Sequence, residues 1–301
     1  MKAFLRWLGI AVGSLVGLVI LAIGAVYAIT EWRFARDFEV DVPPISVVAD
    51  SASIAHGAHL ALIRGCVDCH GDRMEGTVII DDPLLGRIAG SNLTPGEGGV
   101  AGRYRTAADW VRAIRHGVAP DGRPLLLMPA HEFQHLSDSD VASLIAYFQA
   151  LPPVDHHPPG LVVRPLGRLL YVIGELPLIP AEIIDHDAAP RPAPAAAATR
   201  EFGAYLATGC SGCHGTGFSG GRAPGVPPGF PDASNLTPHP TGLASWTRDD
   251  FARALRTGIR PDGRELNPWM PWRLTAHMTD VEIDALWAFF ESLPPREKGN
   301  L

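Results

Sequence analysis

The hydrophobic pattern divides the chain into one long apolar run and two later stretches of short helical periodicity. Residues 8–29 carry no charge, and at ~1.5 Å per residue they span ~33 Å, enough for the ~30 Å core of a bilayer. Lys2 and Arg6 precede the run. Basic residues on the short flank place that flank in the cytoplasm and the rest of the chain across the membrane. The pattern predicts a transmembrane anchor over 1–30, with the body on the far side of the membrane. A signal peptide cut after Val26-Tyr27-Ala28 is the alternative, although its apolar core would exceed the usual ~7–15 residues. Both readings export the body.

An approach segment over 31–49 follows, and then two sets of helical signals. The first set predicts a helix over 53–64, a second opened by Thr106 and Asp109, and a third opened by Ser137 and Asp140 that carries Val141, Leu144, Ile145 and Phe148. The second set predicts a helix over 199–208, one opened by Thr247 and Asp250, and one opened by Thr279 and Glu282 that carries Val281, Ile283, Leu286, Phe289 and Phe290. A hydroxyl followed three residues later by a carboxylate satisfies the free N–H groups of a helix start. No segment alternates as a half-buried strand would. Between the sets, a short helix near 166–174 is expected to pack between domains, with packing on the membrane surface as the alternative, and 190–199 reads as an extended linker.

The two sets are copies. Cys66-Val67-Asp68-Cys69-His70-Gly71 recurs as Cys210-Ser211-Gly212-Cys213-His214-Gly215. Asn92-Leu93-Thr94-Pro95, Pro120-Asp121-Gly122-Arg123, Met128-Pro129 and Leu151-Pro152-Pro153 recur in the same order, at Asn235, Pro261, Met270 and Leu293. Preserved order and near-constant spacing indicate an internal repeat. The expected organisation is a domain over 50–155, a linker with a short helix over 156–196, and a second domain over 197–297, all-α throughout.

Composition narrows the chemistry. Of 301 residues, 32 are glycine and 28 proline, which predicts long connections between modest helices. The formal charge is −7, and without Lys2 and Arg6 the exported part carries −9. Such a surface excludes a nucleic-acid binder, which needs cationic contacts to phosphate. Four cysteines in so long a chain exclude a disulfide scaffold.

All four cysteines fall in Cys-x-x-Cys-His. A zinc site would need the distant pairs to meet, and a thioredoxin-like motif needs alternating strands and helices. Covalent haem attachment accounts for the histidine that follows both pairs: Cys66 and Cys69, and Cys210 and Cys213, bond the porphyrin, and His70 and His214 ligate the iron. Met128 and Met270 are paired, lie 58 and 56 residues after those histidines, and are the candidate second ligands. Met74 has no counterpart, and Met278 aligns with Leu136 as packing. Five other histidines in the first domain (His56, His59, His116, His131, His135) lack paired positions. Tyr104 and Trp246 are paired and suit either porphyrin packing or hydrogen bonds to its propionates. Arg115 and Arg256 read as solvated helix faces, with offset of propionate charge as the alternative. The repeated Asn-Leu-Thr reads as a structural loop rather than a glycosylation acceptor.

With the Asn-Leu-Thr-Pro loop, Asp-Gly-Arg, Met-Pro and the Leu-Pro-Pro ending, the chain resembles the membrane-associated multihaem cytochrome c subunits of bacterial periplasmic alcohol, gluconate and sorbitol dehydrogenases. The resemblance covers about 200 residues and departs in two ways. Those subunits usually carry three haem domains, and this chain has two motifs; several have a C-terminal membrane contact, and here the apolar run is N-terminal. It implies two tandem cytochrome c-type domains with two covalently bound haem c groups, passing single electrons from a dehydrogenase or quinol to an oxidase or soluble cytochrome. The acidic body suits a basic soluble cytochrome c partner. No catalytic residue is expected. A dihaem subunit of a cytochrome oxidase complex, or a dihaem peroxidase with one open iron position, are the alternatives.

Overall fold

The computed structural model describes residues 1–190, 192–223 and 231–299. Arg191 of the expected linker and residues 224–230 of the second expected domain lie outside the described residues. Helix α1 (Lys2–Phe34) is continuous and is long and apolar enough to cross a membrane; nearly all of it is exposed, with Thr30 buried. The first helical set comprises α2 (Ser51–Ile63), α3 (Cys66–His70), α4 (Ala107–His116), α5 (Ala130–Phe133) and α6 (Asp138–Gln149). After α7 (Pro165–Val172) come α8 (Arg200–Ala207), α9 (Ser211–His214), α10 (Arg248–Thr257), α11 (Trp272–Thr275) and α12 (Asp280–Glu291). The order repeats element for element, giving tandem helical domains.

The helix ends follow from local chemistry. Thr106 with Asp109, Thr247 with Asp250 and Thr279 with Glu282 form reciprocal capping boxes. Ser137 accepts from the Asp140 N–H, but the Asp140 carboxylate turns to His56 and Tyr205, so this fourth box is half-formed. Within each domain the first helix lies on the last at very short range. A Cβ added at Gly57 of α2 would sit 1.9 Å from the Ser143 carbonyl oxygen of α6, and one at Gly203 of α8 would sit 1.9 Å from that of Ala285 of α12.

One continuous core runs through both domains, with Leu60, Val141, Ile145 and Phe148 on one side and Leu206, Ile283, Leu286 and Phe290 on the other. Reciprocal polar contacts join them. His59 Nε2 of α2 lies 2.9 Å from Glu282 Oε1 at the start of α12, and the Tyr205 hydroxyl of α8 donates to Asp140 at the start of α6. Burial alone would raise both carboxyls. Hydrogen bonds from His56 and Tyr205 to Asp140, and from His59 and Thr279 to Glu282, outweigh it and hold both below their ordinary range. Arg64 crosses the same boundary, donating to the carbonyls of Leu206 and Tyr205.

Two features depart from what the sequence predicts. A three-stranded antiparallel sheet is present, ordered β1 (Val78–Asp82), β2 (Gly86–Ala89) and β3 (Val162–Val163). Its first strand, Val-Ile-Ile-Asp-Asp, does not alternate because it is short, half exposed on both faces and irregular in register between Val78 and Ile80. Nor does α7 pack between the domains. It lies on α1 and on β2, where Arg168 donates to Thr30 Oγ1 at 2.6 Å, pairs with Glu31 at 2.7 Å and stacks over the Tyr27 ring.

Candidate functional site

Each Cys-x-x-Cys-His folds as a single helical turn. α3 runs from Cys66 to His70, and Cys210 caps α9, which ends at His214. A spacing of three places the two thiols of a pair on one side of the turn. Gly71 and Gly215 follow with φ of 78° and 75°, left-handed backbone that turns the chain after the histidine. His70 Nδ1 lies 2.7 Å from the Ser91 carbonyl, and His214 Nδ1 lies 2.7 Å from that of Ser234. Donation there fixes each ring and leaves Nε2 as the free donor atom. Burial lowers both imidazole pKa values, offset in part by those carbonyl bonds, and favours the neutral form that binds a metal.

Met128 and Met270 occupy matching loops. Each precedes the proline that caps α5 or α11, and its carbonyl accepts from the N–H two residues on, at 2.7 Å in both copies. A cavity of about 1420 Å³ brings the sequence-predicted residues together. Cys66, Cys69, His70 and Met128 line it on one side, and Cys210, Cys213, His214 and Met270 continue it on the other. Of the twelve histidines only His70 and His214 reach it. His56 is held by Asp140, His59 by Glu282, and His116 by His186.

The lining fits covalently held porphyrin. The volume exceeds the ~300–1,000 Å³ of an ordinary small-molecule pocket, and Leu93, Phe133, Leu243 and Phe251 supply apolar wall. Trp110 Nε1, Arg64 Nε and Arg260 Nε are buried, lack a hydrogen-bond partner among the described residues, and belong to side chains that line the cavity. An unmatched buried donor costs ~1–3 kcal/mol, and the carboxylate edge of a haem matches such donors. Burial pushes the Cys66 thiol up to about 12 and that of Cys210 to about 11, unlike the depressed pKa of a redox dithiol. Among the described residues no group of three or more His, Cys, Asp or Glu is placed to hold a metal ion, so the two cysteine pairs do not meet as a zinc site.

Other paired residues sort out by contact. Tyr104 and Trp246 both line the cavity; Tyr104 stacks on Trp110 at 4.5 Å, and Arg260 lies over Trp246 at 5.9 Å. Arg115 and Arg256 are not free solvated faces. Arg115 is buried against the Leu136 carbonyl and Asp138, and Arg256 pairs with Asp280, so each clamps the start of its domain's last helix. The Asn92 and Asn235 amides are buried and donate to the carbonyls of Val154 and Arg296, latching each Asn-Leu-Thr-Pro loop to the chain after Leu-Pro-Pro. Met74 does have a structural counterpart in Phe218. Both are buried, both have φ near 60°, and both carbonyls accept from the leucine of that loop.

Glu132 and Arg64, which the sequence does not single out, both lie at the domain boundary. A Cβ on Gly212 would lie 2.1 Å from Glu132 Oε1, so this carboxyl sits against the second cysteine motif. Its counterpart Leu274 sits beside the first motif, where a Cβ on Gly65 would lie 3.3 Å from Leu274 Cδ1. Comparing the halves gives no signal, because one copy has glutamate and the other leucine. Burial pushes the Glu132 carboxyl up to about 7, with Arg64 offsetting part of the shift. A carboxyl raised in the folded state costs stability as pH climbs past ~4.5, and the cost is complete above about 7. Glu132→Gln is therefore expected to match the parent chain near pH 4 and to exceed its stability above pH 7, by up to about 3 kcal/mol. Thermal or denaturant unfolding across that range measures the difference.

Residues 202–294 match the cytochrome c family. The chain is 31% identical, over 82% of its length, to the cytochrome c subunit of a quinone-dependent alcohol dehydrogenase of Komagataeibacter europaeus, and covers 57% of that protein. It is 27% identical to a diheme cytochrome c-type protein of Cereibacter sphaeroides, covering 81% of this chain and 86% of that one. A 95-residue stretch is 37% identical to the gluconate 2-dehydrogenase cytochrome c subunit of Pantoea cypripedii, covering 29% of this chain and 22% of that subunit. The chain thus spans little more than half the length of the alcohol dehydrogenase subunits it matches.

Proposed function

We propose that this chain, which carries tandem cytochrome c-type domains and resembles the cytochrome c subunits of membrane dehydrogenases, is a membrane-anchored carrier of single electrons with two covalently bound haem c groups. The observation that carries this reading is the single cavity onto which both Cys-x-x-Cys-His turns and both Met-Pro loops open. Cys66 and Cys69, and Cys210 and Cys213, would hold the two groups; His70 with Met128, and His214 with Met270, would supply the donors to iron. Bound haem supplies the one-electron couple. The chain's own residues orient the donors, exclude water with apolar walls and offer N–H groups to the carboxylate edge. A thioether as second donor places the potential above that of a bis-histidine site.

In this reading α1 lies in the bacterial inner membrane and both domains face the periplasm. Electrons arrive from a dehydrogenase or a quinol and leave to an oxidase or soluble cytochrome. The −9 body steers toward a basic partner, an attraction that salt screens.

Purification of the full chain in mild detergent tests the reading. Two haem c per chain by haemochromogen assay, and no carbon monoxide binding after reduction at neutral pH, are expected. Carbon monoxide binding to either ferrous site would overturn it in favour of a peroxidase-type enzyme. A co-purifying quinoprotein or flavoprotein dehydrogenase supports the assigned partner, whereas co-purifying haem b and copper would assign an oxidase subunit instead.

A further inference from the structure

We propose that the tip of the β1–β2 hairpin and the first turn of α7 enter the membrane interface together beside α1, clamping the first domain to the lipid surface. This rests on the reading of α1 as a membrane span. The tip, Pro83-Leu84-Leu85, is a locked structure. Asp82 Oδ1 accepts from the N–H groups of Leu84 and Leu85, both at 2.7 Å. The carbonyls of Leu84 and Leu85 accept from the N–H groups of Leu166 and Arg164, at 3.2 and 3.1 Å. Gly167 sits so close that a Cβ there would lie 2.4 Å from the Leu85 carbonyl oxygen. The tip and α7 therefore move as one body. That body turns apolar side chains outward: Leu84 is 62% exposed, and Val162, Leu166 and Leu169 are also exposed.

Contacts with α1 set the level of this surface. Arg168 touches Tyr27, Thr30 and Glu31, and three residues later Tyr171 packs on Phe34 and Arg33. The two helices thus run side by side in the same direction. The Arg168 guanidinium reaches back along α7 to the Val163 carbonyl at 3.0 Å, so Pro165 and Leu166 lie level with its contacts to Tyr27, Thr30 and Glu31. That level takes in residues 27–29, where the uncharged run ends. Leu84, bonded to Leu166, shares it. The exposed apolar surface is therefore continuous with that of α1 at the depth where a lipid headgroup region begins. Arg164, part-exposed, flanks it with a guanidinium group suited to the headgroup layer, while Arg168 is held inward by Glu31, Thr30 and the Val163 carbonyl.

The clamp orients the site. From the tip, β2 leads directly to Gly90 and Ser91, whose carbonyl holds His70. The His70 side of the cavity is then the membrane-proximal one, and the second domain hangs from the first through Arg64, His59 and Tyr205.

The test uses the mature, haem-loaded full chain in vesicles of phosphatidylcholine and phosphatidylglycerol, with or without bromine on the acyl chains. An environment-sensitive fluorophore is placed at one introduced cysteine at a time: Leu84→Cys at the tip, Ile20→Cys within α1, and Glu201→Cys on the exposed face of α8. At least twofold bromine quenching is expected at positions 20 and 84, strongest at 84 for bromines near the headgroup, with none at 201. Quenching at 20 while 84 behaves like 201 would overturn the clamp and leave the anchor standing. Absence of quenching at both 20 and 84 would overturn the anchor reading and the clamp with it.

Discussion

Met128→Ala is expected to strip the first proposed haem site of its second donor, lower its reduction potential by on the order of 100 mV and open it to carbon monoxide, with the second site untouched. The reasoning starts from the loop. Met128 lies between Leu127, held at φ 61° with its N–H bonded to the Leu178 carbonyl, and Pro129, which starts α5. Both neighbours are fixed, so no side chain slides in to replace the thioether. Among the described residues the other histidines of the first domain are held elsewhere or stand outside the cavity. A soft thioether favours the reduced iron, and axial donors together set haem potentials over a range of ~0.8 V. Met270→Ala should act the same way on the second site. Each single variant should lose half of the red-region absorption that methionine-ligated ferric haem shows, and the double variant all of it. Persistence of that band in the double variant would remove both methionines from the ligand set. Spectroelectrochemical titration reads the potential of each site separately.

The second large effect concerns folding. Gly57→Ala and Gly203→Ala should each destabilise their domain by at least the upper end of the ~1–3 kcal/mol typical of overpacking. In each case the new methyl would meet a backbone carbonyl oxygen at 1.9 Å rather than a flexible side chain. A carbonyl inside α6 or α12 cannot move without its helix, so the two helices must part. They carry much of the core: Leu60, Val141 and Ile145 in one domain, and Leu206, Ile283 and Leu286 in the other. Denaturant unfolding of the full chain should show the altered domain melting earlier, with its methionine-to-iron absorption lost first. An unchanged midpoint for either variant would mean that the helices are not packed this closely.

Much of this protein is legible in its amino-acid sequence. The caps at Thr106, Thr247 and Thr279, the paired Met-Pro loops and the cysteine turns depend on residues within a few positions of one another, and local chemistry acts at that range. The hairpin at 78–89 is not legible there, because a short strand exposed on both faces is under no pressure to alternate. Arg115 and Arg256 look like free helix faces in the sequence because their partners, Asp138 and Asp280, lie more than twenty residues away.

By itself the sequence determined the repeat, the helical class, the long apolar run and the eight paired Cys, His and Met positions, because each is written in local spacing or in the comparison of one half with the other. Only the tertiary structure decided that both sets of site residues line one continuous cavity and that Glu132 of one domain lies against the cysteine motif of the other. It also decided that α7 is tied to α1 through Arg168. These facts depend on how two units of the same helical order are packed and tethered. Their interface is built from residues that differ between the copies, such as Glu132 against Leu274, so the repeat that reveals the domains conceals how they meet.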